Sequence, residues 1–154
     1  ATPLTVALMD LDHFKHINDT YGHAAGDAVL KVFAEVMRES LRDTDTPARI
    51  GGEEFAVLLT STPQDEAIVA LERIRATLDQ RPIEFGLHAI YATVSIGAVQ
   101  WQPDHHDVDA MLANADEALY TAKRKGRNRV CLYQHDNHPS GGETPGLRAA
   151  NDAA

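Results

Sequence analysis

The pair Gly51-Gly52 sits between two short strand-like runs, Ala48-Arg49-Ile50 and the apolar Phe55 to Leu59, and it limits the fold more than any other feature. Glycine reaches positive φ without penalty, so two β-forming runs joined at such a pair are expected to fold back as a hairpin. A hairpin is only marginally stable alone and needs further strands or a helix against its apolar face. The flanking sequence supplies both. Leu4 to Met9 reads as a buried strand, Ile90 to Val99 as a strand expected to pair with the hairpin, and Arg129 to Tyr133 as a last short strand. Between them lie amphipathic helices. Asp12 to Tyr21 is closed by Gly22, and Ala25 to Leu41 carries a stripe of Val29, Leu30, Phe33, Val36, Met37 and Leu41. A third helix starts at Pro63, with Ala67, Leu71, Ile74 and Leu78 inward, and stops before Pro82; Val108 to Lys125 forms a fourth. The order predicts an α+β fold with helices flanking a mainly antiparallel central sheet.

The chain has 154 residues, enough for one domain with a substantial core. Its formal charge of −9 disfavours a nucleic-acid polymer or an anionic membrane as a non-specific partner. Cys131 is the single cysteine, which excludes an intramolecular disulfide and a cysteine-based zinc site, and its apolar neighbours suggest a small core residue. No apolar stretch approaches the roughly 20 residues of a membrane helix, and the sequence opens directly into Leu4 to Met9 rather than into a signal peptide. The expectation is a cytoplasmic domain cut from a longer protein, with any membrane or sensor portion outside it. Residues 1–133 make the domain. Residues 134–154, rich in Gly, Pro, Asp and Asn, read as a flexible tail or linker.

Two acidic pairs fall at special points of this plan. Asp10 and Asp12 end the first strand, and Glu53 and Glu54 follow the double glycine. If the two strands are neighbours, Asp10 and Glu53 meet across the sheet. Carboxylates held together repel unless a cation lies between them, and hard oxygen ligands favour Mg²⁺, with Mn²⁺ as a substitute. Two such ions can activate a hydroxyl nucleophile and stabilise charge on a phosphoryl group, the palm-domain arrangement of nucleotide polymerases and cyclases. No G-x-x-x-x-G-K-[ST] occurs, which argues against a P-loop NTPase. Cations for a triphosphate are at hand in Lys15 and in Lys123, Arg124, Lys125, Arg127 and Arg129. Asn18 and Asp27 are candidate base readers. A carboxylate can accept from the N1 and N2 donors of guanine, and an amide can complement its other edge. His23 and the His105-His106 pair suggest structural and solvated-loop roles respectively.

These residues also form ordered motifs. Asp10 to Asp19 resembles D-x-D-x-F-K-x-x-N-D, Gly22 to Asp27 resembles G-H-x-x-G-D, and Gly51 to Phe55 reads GGEEF after Arg49. Ser95-Ile96-Gly97 and the run from Ala115 to Arg129 resemble the closing S-I-G and A-D-x-A-L-Y-x-A-K-x-x-G-R-N-R segments. The chain from about Leu4 to Tyr133 thus resembles the GGDEF diguanylate cyclase family, in its GGEEF form. The resemblance implies a palm-like β-α-α-β-β-α-β topology. It also implies two metals held by Asp10, the Leu11 carbonyl and Glu53, with Asp10, Glu53 and Lys15 at the catalytic centre. Asn18 and Asp27 would read guanine, and Lys15, Lys123, Arg127 and the amides near His13 and Phe14 would hold phosphates. Each domain would bind one GTP, so a homodimer would be needed to make cyclic di-GMP and two pyrophosphates. Arg42-Asp43-Thr44-Asp45 falls where the family places a product-inhibition site, with Arg73 or Arg75 from a neighbouring molecule as a further contact. Arg fits such a site because its guanidinium binds phosphate bidentately and stacks on guanine. The family's helix and D-x-L-T-x-L-x-N-R-x segment, which connect to an upstream sensor, have no counterpart ahead of Leu4. A non-catalytic cyclic di-GMP receptor and a GTP-sensing domain are the alternative functions.

Overall fold

The computed structural model describes residues 2–135; the tail reading for positions 136–154 lies outside them. Seven strands and four helices follow in the order β1 (Leu4–Leu11), α1 (Phe14–Tyr21), α2 (His23–Ser40), β2 (Thr46–Arg49), β3 (Glu54–Thr60), α3 (Gln64–Gln80), β4 (Ile83–Phe85), β5 (His88–Ile90), β6 (Val94–Gln100), α4 (Val108–Arg124) and β7 (Val130–Leu132). Five strands form one sheet in the order β2-β3-β1-β6-β7, antiparallel except for the parallel β6–β7 pair. The α+β fold expected from the sequence is the fold observed. Among the described residues no helix is long and apolar enough to cross a membrane.

Burial explains this strand order. The interior strand β6 is buried on both faces through Val99, while every residue of the edge strand β2 is exposed. Pro47 belongs on that edge, because a proline nitrogen cannot donate to a ladder. One expectation is corrected here: β6 pairs with β1 and β7, not with the hairpin. The hairpin occupies one side of β1 through β3, and the apolar β6 takes the other. The run from Ile90 to Val99 also proves to be two strands. Ile90 ends β5, which forms a separate two-stranded hairpin with β4 around Gly86, whose φ is 60°. With three residues per strand, this hairpin gives too short a pattern to register as alternation.

The two sides of β1 build two cores. Ala7, Met9 and Leu11 pack with Val29, Phe33 and Val36 of α2 and Leu71 and Ile74 of α3. The alternate positions, Leu4, Val6 and Leu8, pack with Met111 and Ala115 of α4. Continuing the same alternation, Asp10 lies on the α4 side. Helix α4 sits close against β6 because Gly97 has no side chain. A Cβ there would overlap the backbone nitrogen of Leu119 and the carbonyl of Ala115, and would come within 2.6 Å of the Leu119 Cα. Since backbone atoms cannot rotate away, Gly97→Ala is expected to lower stability by ~1–3 kcal/mol through overpacking, read from the urea midpoint of the purified domain. A midpoint equal to that of the parent would show that α4 is free to shift.

Candidate active site

The β1–β3 register sets Asp10 opposite Glu54, and the Leu11 amide donates to the Glu53 carbonyl at 3.1 Å. Glu53 is thereby fixed beside the end of β1. The turn before it is held by Arg49, whose Nε donates to the Gly51 carbonyl at 3.0 Å and whose Nη2 donates to the Gly52 carbonyl at 2.7 Å. The amides of Ile50 and Gly51 donate to the Glu54 carbonyl and close the loop. The arginine preceding the glycine pair thus acts structurally, tying down carbonyls that the tight turn directs away from the ladder.

Asp10 is buried, and Lys123 from the last turn of α4 donates to its Oδ2 at 2.9 Å. Burial pushes the Asp10 carboxyl above its ordinary range, against the opposing hydrogen bond and charge of Lys123; Asp12 adds to the rise and Arg127 reduces it. Burial also pushes Glu53 up, followed by the charges of Asp10 and Glu54, with Lys123 opposing. Burial thus leads the rise at both carboxylates, the charge of Asp10 adds to it at Glu53, and one ammonium does not fully offset it. Their oxygens, with the carbonyl of Leu11 nearby, are the hard donor set that suits Mg²⁺.

A cleft of about 350 Å³ runs over these groups, lined by Asp10, Leu11, His13, Phe14, Lys15, Glu53, Lys123 and Arg127 among others. Helix α1 opens onto it. His13 precedes that helix with φ 54°, and no side chain caps its first turn, so backbone N–H donors and the positive end of the helix dipole are available there for an anion.

The expected base readers lie beside this cleft rather than in its lining. Asn18 on α1 faces α2, and its Oδ1 is buried without a hydrogen-bond partner. Gly26 makes room for it, since a Cβ there would overlap that oxygen. An unpaired buried acceptor is costly, and a ligand N–H would relieve it. Asp27 is exposed on α2 and borders a groove with Leu30, Lys31, Met37, Pro47 and Arg49.

Arg42 and Asp45 form a separate cluster before β2. The Arg42 amide donates to Asp45 Oδ2 at 2.9 Å, and its guanidinium reaches Asp45 Oδ1, the Thr60 carbonyl and the Thr62 hydroxyl. Asp45 is buried while the Arg42 side chain stays 56% exposed, so a held guanidinium faces outward. On α3 the two arginines differ: Arg73 is exposed, whereas Arg75 bonds Glu72 and Asn128 within the fold.

Two residues depart from what the sequence suggests. His105 is not a solvated loop residue. It is buried, its Nδ1 accepts from the Gln102 amide at 2.8 Å, and its Nε2 lies 2.8 Å from Asn114 Nδ2, while His106 is exposed. Asp12 reads from sequence only as a member of the acidic pair that ends β1, yet its buried carboxylate accepts from Thr93 Oγ1, Ser95 Oγ and the Asn128 amide. The signal for it lies in Thr93 and Ser95, polar residues within the otherwise apolar run from Ala92 to Val99.

A layered α+β domain whose central antiparallel strands bring two carboxylates under a cation-rich cleft has a palm-like fold. The chain is a member of the GGDEF family: the family described as "Diguanylate cyclase, GGDEF domain" matches residues 1–129. Diguanylate cyclase A of Treponema denticola is 42% identical over 133 residues, covering 86% of this chain and 36% of that protein. The GGDEF domain of DgcB from Caulobacter crescentus, solved in complex with c-di-GMP, superposes with a TM-score of 0.82 at 35% identity, over 86% of this chain and 78% of that one. The active GGEEF domain of a diguanylate cyclase from Vibrio cholerae gives the same score and identity, over 86% and 84%. The chain spans roughly a third of the length of the curated relatives it matches, with coverages of 36%, 35% and 29%.

The raised carboxyls carry a pH signature. Asp10 and Glu53 hold protons more tightly folded than unfolded, so their stabilising effect is present at low pH. It is lost as pH rises from their ordinary values of 3.8 and 4.5 through the raised ones. In metal-free urea unfolding from about pH 4 to 7, Glu53→Gln is expected to flatten this loss. An equally steep decline in the variant would mean that the Glu53 carboxyl is not raised in the folded domain.

Proposed function

We propose that this domain is the catalytic module of a diguanylate cyclase, condensing two GTP into cyclic di-GMP and two pyrophosphates. The observation that carries the reading is the placement of Asp10 and Glu53 on one wall of a cleft that also receives Lys123 and Arg127 from α4 and the loop after it, together with the open end of α1. In this reading residues 1–133 are the module, and a segment preceding it links to a sensor.

Asp10, Glu53 and the Leu11 carbonyl hold two Mg²⁺ ions, Mn²⁺ serving as a substitute. The ions supply charge neutralisation at the phosphates and activation of the 3′-hydroxyl. Lys15, Lys123, Arg127 and the amides of His13 and Phe14 orient the triphosphate. The unpaired Asn18 Oδ1 accepts from guanine, and Asp27 takes the N1 and N2 donors. One cleft of this size serves one GTP, so two domains face each other and each 3′-hydroxyl attacks the α-phosphorus of the opposite nucleotide. Arg42 and Asp45 bind the product, with Arg73 of a neighbouring molecule as a further contact. This chemistry belongs in the cytoplasm, where GTP is found.

The test uses the domain fused to a dimerising coiled coil, incubated with GTP and Mg²⁺ and followed by nucleotide chromatography. Cyclic di-GMP together with pyrophosphate is the expected result; GTP left intact by a folded dimer that carries its preceding segment would overturn the reading. Glu53→Ala should cut synthesis to below about a hundredth while changing cyclic di-GMP binding less than about twofold, since the two sites share no partners. Arg42→Ala should weaken cyclic di-GMP binding about tenfold or more and relieve product inhibition. Unchanged turnover in the first variant would remove the metal assignment, and an unchanged inhibition curve in the second would remove the product site.

A further inference from the structure

The loop between α4 and β7 has an unusual backbone. Gly126, Arg127 and Asn128 all have positive φ, at 120°, 63° and 46°. Glycine adopts such values freely and asparagine tolerates them, but an arginine there is strained and persists only where its surroundings hold it. The surroundings are specific. The Arg127 amide donates to the Ala122 carbonyl at 3.1 Å, and Arg129 Nε donates to the Arg127 carbonyl at 3.0 Å. Asn128 is gripped from two sides. Its amide donates to Asp12 Oδ2 at 3.1 Å, and its side-chain Oδ1 accepts from Arg75 Nη1 at 3.0 Å.

Each grip is itself fixed. Asp12 is buried, and Thr93 Oγ1 and Ser95 Oγ donate to its two oxygens at 2.7 Å each. Arg75 is mostly buried on α3 and oriented by Glu72 at 2.9 Å, with Asp79 at 3.9 Å. The residue held in the middle, Arg127, lines the cleft and lies close enough to Asp10 to lower its pKa.

We propose that Asp12 and Arg75 are positioning residues, which clamp Asn128 from opposite sides and so aim Arg127 into the cleft at the triphosphate. The inference rests on the reading of Arg127 as a phosphate-binding residue. Arg75 does not line the cleft, and Asp12, which does, has both carboxylate oxygens engaged by Thr93, Ser95 and the Asn128 amide. Arg75 stands on α3, away from the acidic signature, and its guanidinium is directed inward to the loop rather than outward to a second molecule. The left-handed backbone gives Arg127 a fixed exit direction, which a relaxed loop would lose.

The test is a double-mutant cycle on binding of 3′-deoxy-GTP with Mg²⁺, an analogue without the attacking hydroxyl, measured by calorimetry on the whole chain. Arg127→Ala is expected to weaken binding about tenfold, and Arg75→Met, which keeps the helix packing but removes the guanidinium, about fivefold to tenfold. The Arg75→Met/Arg127→Ala double variant should bind no worse than Arg127→Ala alone, because Arg75 acts only through Arg127. Asn128→Gly removes the grip of Arg75 while relieving the positive φ, so it should mimic Arg75→Met without a lower unfolding midpoint; it also serves where Arg75→Met fails to fold. Additive losses in the double variant, or binding unchanged in both Arg75→Met and Asn128→Gly, would overturn the clamp while leaving the cleft as the nucleotide site. No binding by the parent chain, or binding indifferent to Arg127→Ala, would overturn the phosphate role itself and the clamp with it.

Discussion

The pairing of β1 with β3 is the constraint on which the rest of the structure depends. Seven consecutive residue pairs, from Leu4 with Thr60 to Asp10 with Glu54, fix where the acidic end of one strand meets the glycine turn of the other. A slip of one residue would reverse the faces of the whole strand. Ala7 and Met9 would leave the α2–α3 core, and Asp10 would turn from the α4 side into it. Register is strongly specified because both faces of β1 are covered by different helices. The position of the carboxylates thus follows from hydrophobic packing several residues away.

The same alternation explains how α4 takes part. Asp10, on the α4 face, can be reached by Lys123 only if α4 lies close to the sheet, and Gly97 permits that approach. Negative charge gathers at one end of β1, and the basic end of α4 is carried toward it. This distribution also suits the macrodipole, since Lys123 and Arg124 occupy the last turn of the helix. A chain with a formal charge of −9 can still build a local cationic wall in this way, because a few fixed charges at short range outweigh a diffuse field screened by salt.

Legibility in the sequence followed the strength of each physical signal. The long helices and β1 were readable because a stripe repeated over several turns, or an unbroken apolar run, leaves few other folds. Asp10, Glu53, Lys123 and Arg127 could be gathered into one site from the sequence, and the structure lines one cleft with them. Pairing partners were harder. The place of β6 beside β1 depends on competition among strands for one edge, which no local window reports. The β4–β5 hairpin is too short to produce a period. His105 reads as a solvated residue and the role of Asp12 stays unread, because the contacts that bury them come only with the fold. Thr93 and Ser95 lie 81 and 83 residues from Asp12, and only the fold brings their hydroxyls to its carboxylate.

The separation of the two proposed sites has a mechanical consequence. Arg42 is anchored to Thr60 and Thr62 at the far end of β3, while Glu53 and Glu54 stand at its beginning. About six residues of extended strand place those ends roughly 20 Å apart. The strand between them is paired on both sides and forms part of the core, so it cannot bend to bring the ends together. A nucleotide seated on Arg42 therefore cannot reach the reacting phosphates of its own domain. If each domain contributes one GTP, the step most open to control is the approach of two domains, and an outward-facing guanidinium at the opposite end of the strand is well placed to hold a second molecule away from that approach. On the proposed reading, inhibition at such a distance would act on the geometry of the pair and leave the cleft itself unchanged.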